Sequence, residues 1–107
     1  MSTVIDRLLA ALNAHDVEAF VACYSPEASI EDGNDLVFAR GHEEFRNRYG
    51  HMFVAFPSLH VEALSRWTVG SFVAQEERVT GRGTESEIHI AIYKVENDLV
   101  VRERLLR

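Results

Sequence analysis

The spacing of the apolar residues changes at Pro57. Before this residue most apolar side chains recur every three or four positions, which is typical of helices. From Leu59 onward they alternate with polar side chains, which is typical of strands. Turn-forming residues divide this second part into four strands, over 59–69, 72–80, 85–95 and 99–106. Four consecutive strands predict an antiparallel sheet, and the helices are expected to pack on one of its faces.

The first half of the chain predicts three helices and one short strand. The helices are expected over 3–13, 17–24 and 43–56, and the strand over 28–31. Ser2 or Thr3 can cap the first helix, Asp16 caps the second, and Pro26 ends it. The order α-α-β-α-β-β-β-β predicts an α+β fold, and 107 residues fit a single domain over 1–107.

The composition excludes several classes of function. The formal net charge of −6 argues against nucleic-acid binding, which needs a basic patch. No apolar run approaches the roughly 20 residues of a membrane span, and the charged N-terminal region argues against a signal peptide. We therefore expect a cytoplasmic protein without membrane contact. Cys23 is the only cysteine, and no histidine pair has metal-ligand spacing, so neither a metal nor another cofactor is predicted.

Four segments of the chain resemble one known superfamily. They are A-A-L-N-A-H-D-V-E-A-F-V-A-C-Y-S-P-E-A-S-I-E-D at 10–32, G-H-E-E-F at 41–45, F-P-S-L-H-V-E at 56–62 and Y-K-V-E-N-D-L-V-V at 93–101. Together they resemble the nuclear-transport-factor-2-like superfamily, in its SnoaL-like and ketosteroid-isomerase-like branch. The resemblance implies a cone-shaped, curved and mainly antiparallel sheet, wrapped around an N-terminal helical hairpin and a third helix. It implies little about activity, because the superfamily contains isomerases, cyclases, dehydratases and non-enzymes.

The resemblance also implies an apolar pocket between the helices and the sheet. A small hydrophobic ligand is the expected partner, and a homodimer is expected to form through the outer faces of two sheets. The residues expected to line the pocket are Leu8, Leu12, Phe20, Tyr24, Phe38, Tyr49, Phe53, Phe56, Trp67, Ala91 and Tyr93. The alternative for each of them is simple packing in the core.

Asp32 is the first candidate for a catalytic residue. It matches the position of the general base in the ketosteroid isomerase pattern, at the end of the first strand. A carboxylate in an apolar cavity is desolvated, which makes it a better proton acceptor. The alternative is a turn residue whose side chain accepts hydrogen bonds from the backbone at Gly33 and Asn34. Leu8 and Ala91 occupy the positions at which the isomerases carry a Tyr and a protonated Asp, so the usual oxyanion donors are missing.

Three further polar residues are expected to form an acid–base cluster with Asp32 if they face inward. They are Arg78, His89 and Glu103, one on each of the last three strands. Alternation along each strand determines which face carries them. The alternative is an outward orientation, with Arg–Glu pairs between strands on a solvated or dimer-forming face.

Three functions remain open from the sequence. The first is a cofactor-free enzyme, of isomerase, cyclase or dehydratase type, which abstracts a proton next to a carbonyl of a small hydrophobic substrate with Asp32 as the base. The second is a non-catalytic module that binds a small apolar ligand. The third is a dimeric accessory domain whose cone is filled by side chains, in which case no pocket remains.

Overall fold

The computed structural model describes residues 3–107, which form three helices and six strands. Ser2, the second possible cap of the first helix, lies outside the described residues. None of the helices within 3–107 is long and apolar enough to cross a membrane. The elements in chain order are α1 Val4–Asn13, α2 Val17–Val21, β1 Tyr24–Asp32, β2 Val37–Arg40, α3 Gly41–Ala55, β3 His60–Val69, β4 Phe72–Thr80, β5 Glu87–Glu96 and β6 Leu99–Leu106.

Side-chain caps determine where the first two helices begin. The Thr3 hydroxyl accepts a hydrogen bond from the Asp6 amide at 3.2 Å, while the Thr3 amide donates to Asp6 Oδ2 at 3.0 Å. This reciprocal pair is a capping box, which satisfies two amides at the start of α1. The Ala19 amide donates to Asp16 Oδ1 at 3.1 Å and caps α2. The predicted caps Thr3 and Asp16 are confirmed.

The six strands form one curved sheet in the order β2-β1-β6-β5-β4-β3. β1 and β6 run parallel, and the other neighbouring strands run antiparallel. The helices pack on one face of this sheet, which we call the inner face: α1 contacts β3 and β6, and α3 contacts β1 and β2. The predicted α+β cone with a mixed sheet is confirmed.

The second helix is shorter than predicted. It ends at Val21, and Tyr24 begins β1 instead of completing α2. The Cys23 carbonyl already accepts a hydrogen bond from an amide of β6 at 2.9 Å, so the chain pairs with β6 immediately before β1 begins. Pro26 lies inside β1 and not at a helix end. The register between β1 and β6 is irregular from Tyr24 to Ser29, so a proline there disrupts no regular ladder.

The structure also contains a strand that was not predicted, and α3 begins earlier than predicted. The strand β2 was not predicted, because four residues next to a turn carry too little periodicity to distinguish a strand from a loop. The helix α3 begins at Gly41 instead of residue 43, directly where β2 ends. Gly41 has φ of +79°, a left-handed conformation that favours glycine at this abrupt change from strand to helix.

Candidate active site

A cavity lies between the helices and the inner face of the sheet. Its volume is ≈ 80 Å³, measured as the space that the centre of a water molecule can occupy. On this measure a single water needs roughly 10–15 Å³, so the cavity holds several waters or one small organic molecule. Seven of the residues expected to line a pocket do line it: Leu8, Leu12, Phe20, Tyr24, Phe38, Tyr49 and Tyr93.

The other four expected lining residues lie elsewhere. Phe53 stacks on His15 with ring centroids 4.9 Å apart, and Phe56 packs at the edge of the core. Ala91 is fully buried in β5 and does not line the cavity. Trp67 is 56% exposed on the outer face of the sheet.

The outward position of Trp67 has a clear cause. Val61 is buried on the inner face at the start of β3, and strict alternation would carry Trp67 to that same face. The register of β3 with β4 shifts between Ala63 and Ser65. An extra residue of this kind moves every later side chain to the opposite face. Arg66 therefore faces inward, and Trp67 faces solvent.

Glu103 brings a carboxyl group into the wall of the cavity. Its side chain is buried on β6, and the Tyr24 hydroxyl donates to its Oε1 at 2.5 Å. Burial raises the pKa of Glu103 to about 8 against the opposing effect of this hydrogen bond, and the charge of Glu77 adds to the rise. Glu103 is therefore protonated at neutral pH. Its Oε2 makes no hydrogen bond with residues 3–107, so a carboxylic O–H is left to donate to a ligand.

Glu77 brings a second carboxyl group into the same cavity from β4. Its Oε2 accepts hydrogen bonds from Gln75 Nε2 at 2.7 Å and from the Tyr93 hydroxyl at 2.9 Å. Burial raises the pKa of Glu77, whereas these two hydrogen bonds and the nearby His89 and Arg66 lower it. More groups stabilise the anion of Glu77 than that of Glu103, so Glu77 ionises first.

A polar chain connects Glu77 to the protein surface. Arg66 Nε donates to Gln75 Oε1 at 2.9 Å, which orients the amide so that its Nε2 points at Glu77. Arg66 also pairs with Asp6 of α1 at 2.8 Å between Nη1 and Oδ1. These hydrogen bonds fix the orientation of the buried Gln75 amide, which in turn holds Oε2 of Glu77 in place.

Tyr49 contributes a free hydroxyl to the cavity. The residue is 7% exposed and lies on α3, with its ring packed on Phe20 at a centroid distance of 4.5 Å. Among residues 3–107, none makes a hydrogen bond with this hydroxyl. Burial, followed by the charge of Glu103, raises the pKa of Tyr49, so the hydroxyl stays protonated and can donate to a ligand.

His89 lines the cavity beside Glu77. It is buried on β5 and is the cross-strand partner of Glu77. Its Nε2 lies 3.3 Å from Glu87 Oε1, and Arg82 pairs with the same oxygen at 2.9 Å. His89 and Glu103 thus take the inward orientation that the sequence left open, and both line the cavity.

Two of the four candidate catalytic residues do not reach the cavity. Asp32 Oδ1 accepts hydrogen bonds from the amides of Asn34 at 2.8 Å and Leu36 at 3.0 Å. The pocket position expected for Asp32 is corrected to the turn position, because its carboxylate already serves the backbone of the β1–β2 turn. Arg78 faces outward and pairs with Glu62 at 3.1 Å, so its inward orientation is corrected as well.

Sequence reasoning missed two central members of this site. Glu77 is absent from the predicted site, because the sequence leaves open which face of β4 lines the cavity. Tyr49 was expected to line a pocket but not to present a free donor. Within residues 3–107 no group of three or more His, Cys, Asp or Glu side chains is arranged to hold a metal ion.

The family of the chain follows from its sequence. Residues 5–103 match the family model of the SnoaL-like domain, which covers nearly the whole chain, so the protein belongs to that family. Its fold is accordingly nuclear-transport-factor-2-like, in the SnoaL-like and ketosteroid-isomerase-like branch. No curated protein matches the chain in sequence.

Solved structures agree with this family. An uncharacterized cystatin fold protein from Novosphingobium aromaticivorans is 26% identical, with a TM-score of 0.91 over 97% of this chain and 95% of that one. A hypothetical protein with a ketosteroid isomerase-like fold from Catenulispora acidiphila is 12% identical, with a TM-score of 0.81 over 97% and 85% of the two chains. A SnoaL-like protein of unknown function from Burkholderia thailandensis is 19% identical, with a TM-score of 0.79 over 92% and 86%.

Proposed function

We propose that this protein is a small-molecule enzyme that moves a proton next to a carbonyl group of a small, largely apolar substrate. The observation that carries the proposal is the pair of buried carboxyl groups, Glu77 and Glu103, on the wall of one cavity. Because their surroundings differ, Glu103 keeps its proton at neutral pH, whereas Glu77 ionises first. A pair of titratable groups with such separated pKa values is the usual arrangement for an acid and a base.

The base in this proposal is Glu77 and not Asp32. The Glu77 carboxylate takes a proton from the carbon next to the carbonyl through Oε1, the oxygen that makes no hydrogen bond with residues 3–107. Gln75 and Tyr93 hold Oε2, which fixes the direction of the free oxygen. The electron pair of the broken C–H bond moves into the enolate, whose oxygen needs hydrogen-bond donors.

Two groups supply those donors. The protonated carboxyl of Glu103 and the free hydroxyl of Tyr49 both line the cavity, and each keeps its proton at neutral pH. They take the place of the donors whose usual positions are held by Leu8 and Ala91. Return of the proton from Glu77 to another carbon completes an isomerisation. In a cyclisation the enolate carbon attacks a second carbonyl group of the substrate, and the resulting alkoxide takes the proton from Glu77, which restores its carboxylate.

Hydrogen–deuterium exchange tests this function without knowledge of the substrate. Small ketones, from butanone to cyclohexanone, are incubated with the protein in D₂O, and deuterium at the α-carbon is followed by NMR. We expect the wild type to accelerate exchange, and Glu77→Gln to lower the rate by roughly 10²–10⁴-fold, the usual contribution of a general base. Glu103→Gln is expected to lower it less, since an amide N–H still donates.

Glu62→Gln is the matched control, because Glu62 is an exposed carboxylate on the outer face. Its exchange rate is expected to equal that of the wild type. Exchange that is unchanged in Glu77→Gln would overturn the assignment of the base. Ketones that bind the cavity without any exchange would instead favour the non-catalytic binding module.

We also propose that two copies of the chain pair through the outer face of the sheet. Trp67, Val69 and Phe72 are exposed large apolar residues, and the register places Val69 opposite Phe72 and Trp67 opposite Ala74 on that face. Exposed apolar patches of this kind mark contact surfaces. Sedimentation of the wild type and of Trp67→Lys tests the idea: we expect a dimer and a monomer, and a monomeric wild type would exclude it.

A further inference from the structure

We propose that the mouth of the cavity is a binding site for an anionic group, formed by Arg48 and Arg107, so that the natural ligand is a small carboxylic acid with an apolar, carbonyl-bearing body. The proposal rests on the proposed function, because it names the class of ligand for the same cavity. The apolar body enters the cavity, and the carboxylate stays at the mouth.

Both guanidinium groups are held against one aromatic ring at that mouth. Arg48 Cζ lies 4.7 Å from the centroid of the Phe38 ring, and Arg107 Cζ lies 5.8 Å from it. Arg48 Nη1 also donates to the Phe38 carbonyl at 3.4 Å. Cation–π contacts of this kind orient a guanidinium while leaving its N–H groups directed to the sides. The ring of Phe38, Arg48 and Arg107 all line the cavity.

Neither guanidinium is neutralised by the protein. Within residues 3–107, no carboxylate forms an ion pair with Arg48 or Arg107, although acidic residues outnumber basic ones in the chain. Asp32 lines the adjoining groove together with both arginines, and its Oδ1 accepts two backbone amides of the β1–β2 turn. Glu87 pairs with Arg82. Arg48 and Arg107 therefore lie at the mouth without a carboxylate partner among the described residues, and the cavity behind them contains the protonated Glu103.

A second groove continues from this mouth along the protein surface. It has a volume of ≈ 420 Å³ and shares Phe38, Arg48, Leu105 and Arg107 with the cavity. A ligand that extends from the cavity into the groove passes both guanidinium groups. Their charges also reach the interior, where Arg48 and Arg107 oppose the rise of the Tyr49 pKa. A carboxylate at this point accepts charge-assisted hydrogen bonds, which are shorter and stronger than neutral ones.

Matched acids and amides test the proposal. The probes are the straight-chain carboxylates from butanoate to octanoate and the corresponding amides, which have nearly the same shape and no charge. Dissociation constants are measured by protein-observed NMR at low salt. We expect at least one acid to bind the wild type roughly tenfold more tightly than its amide, and the preference to weaken as salt screens the charges.

Arg48→Met/Arg107→Met is the test variant, and Arg78→Met is the matched control on the outer face. The double variant is expected to bind the acid and the amide within about twofold of each other, while the control keeps the full preference. All three substitutions change side chains with an exposed charge, and the NMR spectrum verifies that each variant is folded. Equal binding of acid and amide to the wild type, a preference that survives in the double variant, or no saturable binding of any acid overturns the proposal.

The deuterium-exchange result is independent of this outcome. A preference for acids without any ketone exchange leaves the anion site in place and rejects the proposed reaction. Ketone exchange that depends on Glu77, without a preference for acids, retains the reaction and rejects the anion site.

Discussion

Replacing Glu103 by Gln removes the ionisation of a carboxyl group that is buried against Tyr24. The amide has almost the same shape, and its oxygen can accept the Tyr24 hydrogen bond in place of Oε1. The substitution therefore tests the electrostatics of the site with little change in packing. We expect it to change how the free energy of unfolding depends on pH.

The sign follows from the direction of the pKa shift. The pKa of Glu103 rises from its ordinary value of 4.5 to about 8 in the folded protein. Below pH 4.5 both states are protonated, and the stabilising effect of holding that proton is fully present. As the pH rises from there to about 8, the unfolded chain releases its proton while the folded protein keeps it, so the free energy of unfolding falls.

The size of this effect is bounded by the same shift. One pKa unit corresponds to roughly 1.4 kcal/mol, so a rise of the pKa from 4.5 to about 8 lowers the free energy of unfolding by at most about 5 kcal/mol. Relaxation of the site and entry of water reduce this figure. Even half of it is a large share of the roughly 5–15 kcal/mol that stabilises an ordinary domain.

Urea unfolding followed by circular dichroism, from about pH 5 to about pH 9, measures this dependence. The stability of Glu103→Gln is expected to match the wild type at the acidic end and to exceed it by a few kcal/mol above about pH 8. Glu62→Gln, which changes an exposed carboxylate, is expected to parallel the wild type. Parallel curves for Glu103→Gln and the wild type across the whole range would refute the argument that Glu103 is a buried neutral acid.

Three further substitutions test other parts of the structure. Asp32→Asn is expected to leave ketone exchange unchanged and to cost about 1 kcal/mol or less in urea unfolding, because an amide oxygen still accepts the turn hydrogen bonds. Arg66→Met removes a cation that lowers the pKa of Glu77, so the acidic limb of the pH–rate profile should move to higher pH, and an unmoved limb would contradict the polar chain through Gln75. Gly81→Ala is expected to lower the free energy of unfolding by more than about 2 kcal/mol, because Gly81 has φ of +87° and a Cβ there would lie 2.0 Å from the backbone oxygen of Ser58. An unchanged thermal midpoint in Gly81→Ala would contradict that geometry.

The sequence predicts the fold of this chain because its signals are local and agree with one another. Thr3 and Asp16 are caps whose partners lie three residues away, and the alternation after Leu59 spans whole strands. The end of α2 was mispredicted because apolar spacing alone continues through Tyr24. The helix ends where the chain pairs with β6, which lies about 75 residues further along the sequence. A local sequence pattern cannot predict such a distant contact.

The cavity could be predicted only in part. Helical positions such as Leu8 and Tyr49 are reliable because their faces follow from the apolar spacing. Trp67 could not be assigned, because a single extra residue between Ala63 and Ser65 reverses the face of all later residues in β3. Such a bulge leaves no clear mark in so short a stretch of sequence. The resemblance to isomerases carried Asp32 over by position, although the turn that follows it already offered the amides it accepts.

The sequence leaves the orientation of β4 open, and the chemistry of its charged side chains explains why the observed face is favoured. Alternation allows two faces: one places Gln75, Glu77 and Val79 inward, and the other places Glu76 and Arg78 inward. An inward arginine would bury a charge that it cannot lose, because its pKa is far above neutral. Burial of a glutamate costs less free energy, because its carboxylate can accept hydrogen bonds, as in Glu77, or bind a proton, as in Glu103. The property that allows a glutamate to occupy the inner face is the same one on which the proposed proton transfer by Glu77 and Glu103 depends.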